Sequence, residues 1–294
     1  MDSLSCALLP SSCALCGSSL PHLSSVPICD VCWTEFPVLS PSASGALCSR
    51  CGDSLDSPVQ AGPSRSGLCR SCRMAPPPFV RAVAYGVYQD RMKAAIHALK
   101  YDRLHAAARG LGRMLALAIA KLAKDAPGEM LVVPVPLHRS KYAERGFNQA
   151  RSLAFHALGA LRKSHPQWQL TLASSTLMRQ RATESQAGLT PRQRRLNVKG
   201  AFEVSDASAV TLKHVLLIDD ILTTGATVRA AAQALAQAGA ASVWVATLAR
   251  ARRVYNTRRG SSVRFDDAEE ISGVAGKSPV EVMQEASIYS SHEQ

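Results

Sequence analysis

Two carboxylates in succession, Asp219 and Asp220, stand two residues ahead of Thr223-Thr224-Gly225-Ala226-Thr227, a run of small side chains with three hydroxyls. Threonine hydroxyls and backbone N–H groups donate to an anion, and a glycine lets the backbone approach it closely. Two carboxylates next to that anion repel it unless they hold something else, such as a diol or a divalent cation. A phosphorylated sugar meets both demands at once. The elements that must position this chemistry are legible on either side. Val215 to Ile218 are four consecutive apolar residues, too few for a helix and suited to a buried parallel strand. After the loop, Val228, Ala231, Ala232, Leu235 and Ala238 recur at helical spacing until Gly239. Open parallel sheets bind ligands beyond the carboxyl ends of their strands, and a helix amino terminus attracts phosphate. A capped helix after a strand that happens to end in Asp-Asp is the plain alternative. Each part alone favours that alternative, and the combination does not.

The run closely resembles the phosphoribosyl pyrophosphate (PRPP) signature of type I phosphoribosyltransferases. The resemblance implies that Asp219 and Asp220 sit by the ribose hydroxyls, and that the loop Thr223, Thr224, Gly225, Ala226, Thr227 cradles the 5′-phosphate. Ile221 and Leu222, between the two, are counted with the PRPP-binding residues.

A second chemical centre is H-R-S-K-Y-A-E-R-G-F-N-Q-A, residues 138 to 150. It follows a buried strand at Leu131 to Val135 and is expected to be a loop carrying His138, Arg139, Lys141 and Arg145, with a helix starting near Phe147. Clustered guanidinium and ammonium groups suit a pyrophosphate. Together with P-V-P-L-H-R before it and Y-Q-D-R-M-K-A-A-I-H-A-L-K-Y at 88 to 101, this run resembles the ComF family, competence-associated members of the phosphoribosyltransferase fold. The resemblance implies a pyrophosphate loop at Arg139 and Lys141, which join Asp219 and Asp220 as expected catalytic residues, with Arg145, Asn148 and Gln149 in the family signature. Residues 178 to 202 have little apolar periodicity and many arginines, and resemble the mobile loop that closes over the pyrophosphate. Arg179, Arg181, Thr183 and Gln186 match best, while Arg192, Arg194 and Arg195 read as a solvated face.

Eight of the nine cysteines form four C-x-x-C pairs, Cys13/Cys16, Cys29/Cys32, Cys48/Cys51 and Cys69/Cys72. Two such knuckles complete a tetrahedral four-sulfur zinc site. The first and third pairs precede Gly17 and Gly52, the second and fourth Trp33 and Arg73, so the segment repeats. That alternation favours the first two pairs on one zinc and the last two on another; an interleaved arrangement stays open. Structural disulfides do not suit a reducing cytoplasm, and a redox C-x-x-C usually occurs once. Cys6 lies outside the repeat.

The whole chain has 294 residues, 47% of them hydrophobic and 5% aromatic, enough for more than one domain. Ala75-Pro76-Pro77-Pro78 reads as a stiff linker. The expected division is a double zinc ribbon at 1–75, a parallel-sheet α/β domain of the type I phosphoribosyltransferase fold at 79–253, and a flexible tail at 254–294. In the sheet domain, strands are expected at Val80–Val87 and Ser242–Leu248, a hood strand at Trp168–Leu172, and a long helix from Leu104 to Ala123. Met92, Ile96 and Leu99 mark a short helix with Lys93 and Lys100 on other faces, and His97 and His105 read as packing histidines. The apolar runs are too short to span a membrane, and MDSLSCALLP lacks a basic start, so cytoplasm is expected.

Of a formal charge of +12, residues 1 to 78 carry none of the excess, with four arginines against five acids. The positive charge lies on the sheet domain and calls for an anionic ligand, nucleic acid, or both. The first reading is therefore a PRPP binder that transfers phosphoribosyl with Mg²⁺ to an acceptor. The second, implied by the resemblance, is a factor that handles single-stranded DNA alongside competence-machinery proteins.

Overall fold

The structure, a computed structural model, describes residues 12–21, 26–39, 46–55, 67–101, 104–182, 190–255 and 263–265. In chain order they form α1 (Asp30–Thr34), α2 (Arg70–Met74), β1 (Ala82–Val87), α3 (Asp90–Tyr101), a 3₁₀ turn (His105–Ala107), α4 (Ala108–Ala120) and β2 (Glu129–Pro134). There follow α5 (Arg139–Arg145), α6 (Gln149–Ser164), β3 (Gln169–Leu172), β4 (Leu177–Arg179), α7 (Pro191–Val198) and β5 (Phe202–Val204). The chain closes with β6 (His214–Leu222), α8 (Ala226–Gln237), β7 (Ser242–Arg250), β8 (Arg253–Tyr255) and β9 (Val263–Phe265).

Five strands make one parallel sheet in the order β1-β7-β6-β2-β3. β6 lies at its centre with both faces covered, which is why its residues read as an unbroken apolar run. Leu216 and Ile218 face a core with α3, α4 and α6, whereas Val215 and Leu217 face a core with α8. The strand runs past the four apolar residues through Asp219 and Asp220, because pairing with β7 continues from Asp219↔Thr247 to Leu222↔Arg250.

The cysteine segments straddle this sheet. Cys13 and Cys32 belong to the core on the α3–α4 face, and Cys48, Cys51, Cys69 and Cys72 to the core on the α8 face. Pro37 to Leu39 lie along the outer edge of β1, with Leu39 N–H donating to Tyr85 and Val87 N–H donating to Pro37. Metal knuckles and sheet therefore share their hydrophobic interior.

Several expectations change. Trp168–Leu172 is not a hood: β3 pairs in parallel with β2 as the sheet's edge strand. Residues 139 to 145 are not a loop but the short helix α5, whose first turn is capped by the His138 ring and whose end is set by Gly146 in the left-handed region. The next helix starts two residues beyond Phe147, with Asn148 as its cap. Residues 178 to 202 contain the antiparallel pair β4–β5 and the helix α7. Thr190 and Gln193 form a reciprocal capping box with Pro191 in the first turn, a local start signal that outweighs weak periodicity. The region read as a tail includes the antiparallel pair β8–β9. Cys6, Thr183 and Gln186 lie outside the described residues. Among the described residues no helix is long and apolar enough to cross a membrane.

Candidate functional site

At the carboxyl end of β6 the two carboxylates are almost fully buried, Asp219 at 8% exposure and Asp220 at 5%. Each accepts a backbone bond: Asp220 N–H donates to Asp219 Oδ1 at 2.9 Å, and Ile221 N–H donates to Asp220 Oδ1 at 3.0 Å. They differ in their cation. Lys100, at the end of α3, places Nζ 2.8 Å from Asp220 Oδ2. Burial opposes charge on Asp220, but the Lys100 ammonium and a hydrogen bond from Asp219 outweigh it and hold its carboxyl below the usual range. Burial also works against the Lys100 ammonium, and the Asp220 charge more than offsets that. Asp219 is pushed well up, by burial and then by the Asp220 charge beside it.

Lys100 is the site residue that sequence reasoning placed elsewhere. The signal was present: Met92 and Ile96 stand eight and four residues before it, so helical spacing puts Lys100 on the buried stripe. Arg145 is the next cation inward, within electrostatic reach of both Lys100 and Asp220. Its guanidinium lies 4.9 Å over the Tyr101 ring, and Nη2 donates to the Tyr101 hydroxyl at 3.0 Å. From the other side Arg179 reaches towards Asp219 and rests against the Phe202 ring. Arg181 caps the end of α7, donating to the Asn197 and Lys199 carbonyls at 2.9 and 3.0 Å. Arg139 and Lys141 lie exposed on α5, beyond the carboxyl end of β2, with Lys141 bonded to Glu144 at 2.7 Å. Arg194, read from sequence as solvated, is buried at 4% exposure, while Arg192 and Arg195 face solvent.

The loop after the carboxylates ends in a helix without a capping side chain. Gly225 is the N-cap of α8 at φ 77°, a conformation that a residue with a Cβ adopts only with strain. A Thr224 hydroxyl accepts from Ala226 N–H at 3.2 Å and closes the turn. The positive dipole end of α8 thus follows three residues after the strand that carries Asp219 and Asp220. Arg250, at the end of β7 and 3% exposed, donates to the Leu222 carbonyl at 2.6 Å and to the Thr223 carbonyl. Its signal in the sequence was an arginine closing an apolar run, between Leu248-Ala249 and Ala251.

The eight cysteines gather as Cys13, Cys16, Cys29, Cys32 and as Cys48, Cys51, Cys69, Cys72, with the four sulfurs of each group within 4.8 Å of one another. The pairing is sequential, as the alternating glycines favour. Cys13–Cys32, Cys16–Cys29 and Cys51–Cys69 sulfurs stand 3.8, 3.7 and 3.6 Å apart. Four sulfurs at about 2.3 Å from a tetrahedral zinc are spaced at about 3.8 Å, so both groups fit that ion. In the first group Cys16 is drawn down to about 6, because the Ser18 hydroxyl and amide favour its thiolate. In the second, Cys51 is pushed well up by its sulfur neighbours Cys48 and Cys69, and the Arg250 charge opposes that.

Comparison with known proteins starts from the carboxyl-terminal half, where the phosphoribosyl transferase domain matches residues 150–277. The DNA utilization protein YhgH of Escherichia coli K12 is 34% identical over 246 residues, covering 82% of this chain and 98% of its own length. The chain belongs to the ComF family. Competence protein F of Haemophilus influenzae is 28% identical over 219 residues, 71% of this chain and 92% of its own. Both relatives are matched over nearly their whole length. The Bacillus subtilis glutamine PRPP amidotransferase overlaps 48% of this chain and 26% of its own at 22% identity, with a TM-score of 0.30, too low to bear on the ComF assignment. For this ComF chain the parallel sheet is that of a phosphoribosyltransferase, preceded by two four-cysteine groups.

Proposed function

We propose that this chain binds PRPP at the carboxyl end of β6 and transfers its phosphoribosyl group to an acceptor. The observation that carries the reading is the placement of a buried carboxylate pair directly ahead of a hydroxyl-rich loop and a glycine-capped helix start. The loop Thr223–Thr227 and the first amides of α8 bind the 5′-phosphate, and Asp219 and Asp220 orient the ribose hydroxyls. Asp219 and Asp220 are the oxygen ligands that would hold Mg²⁺, which when bound would favour their ionised forms and neutralise pyrophosphate oxygens. Arg145 and Arg179 flank the carboxylates, and Arg139, Lys141 and Arg181 are the further cations for the departing pyrophosphate. Each four-cysteine group holds one structural zinc. Paired thiols built for metal suit a reducing cytoplasm. The test is turnover of Mg²⁺-PRPP with a panel of acceptors, scored by pyrophosphate release. Release that depends on both Asp219 and Asp220 is expected, and none with any acceptor counts against transfer.

A second reading, single-stranded DNA handling, is favoured by the charge pattern and by the names of the relatives. Residues 104 to 124 and 145 to 183 contain no carboxylate, yet Arg109, Arg113 and Arg151 are exposed there, Arg151 in one hollow with Phe155 and His156, and Arg109 and Arg113 within electrostatic reach of His156. Aromatics next to phosphate-binding cations favour unpaired bases. Affinity for an oligonucleotide should fall with salt by roughly 0.7 of a log–log slope unit per contact. If the loops around the PRPP site take part, saturating Mg²⁺-PRPP should compete, and unaffected binding would point to the α4–α6 face instead. No binding at low salt would remove this reading.

A further inference from the structure

A buried ion pair joins the second cysteine group to the phosphate loop. Arg250 Nη2 lies 3.4 Å from Asp53 Oδ1, and the two residues are 3% and 2% exposed. On its other side the same guanidinium donates from Nη1 to the Leu222 carbonyl at 2.6 Å and to the Thr223 carbonyl. Those carbonyls are the point at which the chain leaves β6 and enters the loop. Asp53 is fixed in turn by the knuckle that carries it. Cys48 N–H donates to the Asp53 carbonyl at 2.7 Å, and Gly52 N–H to the Cys48 carbonyl at 2.9 Å. The same knuckle is anchored to the sheet, with Ala82 N–H donating to the Arg50 carbonyl at 2.8 Å.

Carbonyl dipoles alone do not compensate a guanidinium taken out of water; a buried charge is kept by a counter-charge. Here the counter-charge sits on the cysteine knuckle and not in the sheet domain. Without it Arg250 is drawn towards solvent, and the Leu222 and Thr223 carbonyls lose their donor. The loop amides that must face a phosphate are then free to fray.

We propose that Arg250 is the positioning residue of the phosphate loop and that Asp53, presented by the second cysteine group, holds it in place. Order in that knuckle thereby sets how well the loop takes a phosphorylated ribose. The inference rests on the PRPP reading of the loop for its functional half only, since the link between knuckle and loop is testable without ligand.

The experiment uses the full chain loaded with zinc, comparing wild type with Asp53→Asn. Three quantities are read: bound zinc, amide hydrogen exchange at residues 223–227 without ligand, and calorimetric affinity for Mg²⁺-PRPP. Asp53→Asn should keep both metals. It should speed loop exchange and weaken PRPP each by about tenfold or more, the scale of one lost charge-assisted hydrogen bond. The double variant Asp53→Asn/Arg250→Met, which removes both charges, should regain melting temperature while the loop still exchanges fast; a purely structural ion pair would restore both together. Unchanged loop exchange in a metal-loaded Asp53→Asn protein overturns the proposal. Should Asp53→Asn lose its second metal or fail to fold, Arg250→Met alone, which leaves the knuckle intact, is read by the same exchange: fast supports the link, unchanged rejects it. A wild type that does not bind PRPP sinks the ligand reading, and the exchange measurement still decides the link.

Discussion

The two cysteine groups have the same ligands and the same knuckle spacing, and they sit in opposite settings. In the first, Cys16 is exposed and Cys29 half-buried; in the second, all four cysteines are buried. The first packs on the α3–α4 face and along the edge of β1, with Cys13 and Cys32 in the core there. Its Trp33 ring lies over Gly110 of α4, Glu35 pairs with Arg91 of α3, and Pro37–Leu39 cover the edge of β1. The second is fastened to the inside, through Asp53 and Arg250, at the loop beside the carboxylates. A duplicated motif thus has two attachments, one along a sheet edge and one at the loop after β6. The difference comes from what each knuckle's neighbouring side chains meet and not from the ligands.

The largest effect should come from breaking the inner group. Cys72→Ser removes a sulfur buried at 1% exposure from a core shared with α8, so one zinc and several kcal/mol of stability should go. At about 2–4 °C per kcal/mol the melting temperature should fall by roughly ten degrees or more. Cys16→Ser, at an exposed ligand, should lose or weaken one zinc and move the melting temperature less. Equal losses by metal analysis and thermal melts would erase the distinction between the groups.

Next comes the cation that the outer face supplies. Lys100→Met leaves Asp220 buried without its partner, which should cost roughly 3–5 kcal/mol near neutral pH. Asp220 is held below the usual carboxylate range, so the stability it lends is present above the ordinary carboxylate value and lost as pH falls through its lowered folded value. The gap between wild type and variant in denaturant melts should therefore narrow in acid. A gap independent of pH would mean that Lys100 contributes packing and not charge.

A smaller effect tests how the outer group is attached. A Cβ on Gly110 would lie 2.3 Å from the Trp33 ring, so Gly110→Ala should cost about 1–3 kcal/mol by overpacking. Hydrogen exchange should loosen around residues 28–36 while residues 223–227 stay as in wild type. Loosening of the phosphate loop instead would show that the outer group also bears on the site.

Much of this molecule was legible before its structure. The acid pair, the loop and the helix after it lie together because strand, turn and helix signals there are local. The alternating glycines favoured the sequential cysteine pairing but left an interleaved one open, and the structure decides between them. What local reading missed depends on contacts between distant segments. Lys100 was placed on another face than the apolar stripe until α3 packed beside β6, and Asp53 was only one of five acids in the cysteine segment until Arg250 met it across 197 positions of chain. The start of α5 was hidden because its cap is a histidine ring, outside the usual Ser, Thr, Asp and Asn signals. The shared interior of knuckles and sheet was equally hidden, since a proline-rich stretch between them reads as a linker wherever the two sides pack.

The central claim is that the carboxyl end of β6 is a phosphoribosyl site, and calorimetric titration with PRPP in the presence and absence of Mg²⁺ tests it most directly. Wild type should bind with Mg²⁺ and lose affinity without it. Asp219→Asn/Asp220→Asn should abolish binding while keeping both zincs and the native circular dichroism. Normal PRPP affinity in that folded double variant would contradict the assignment.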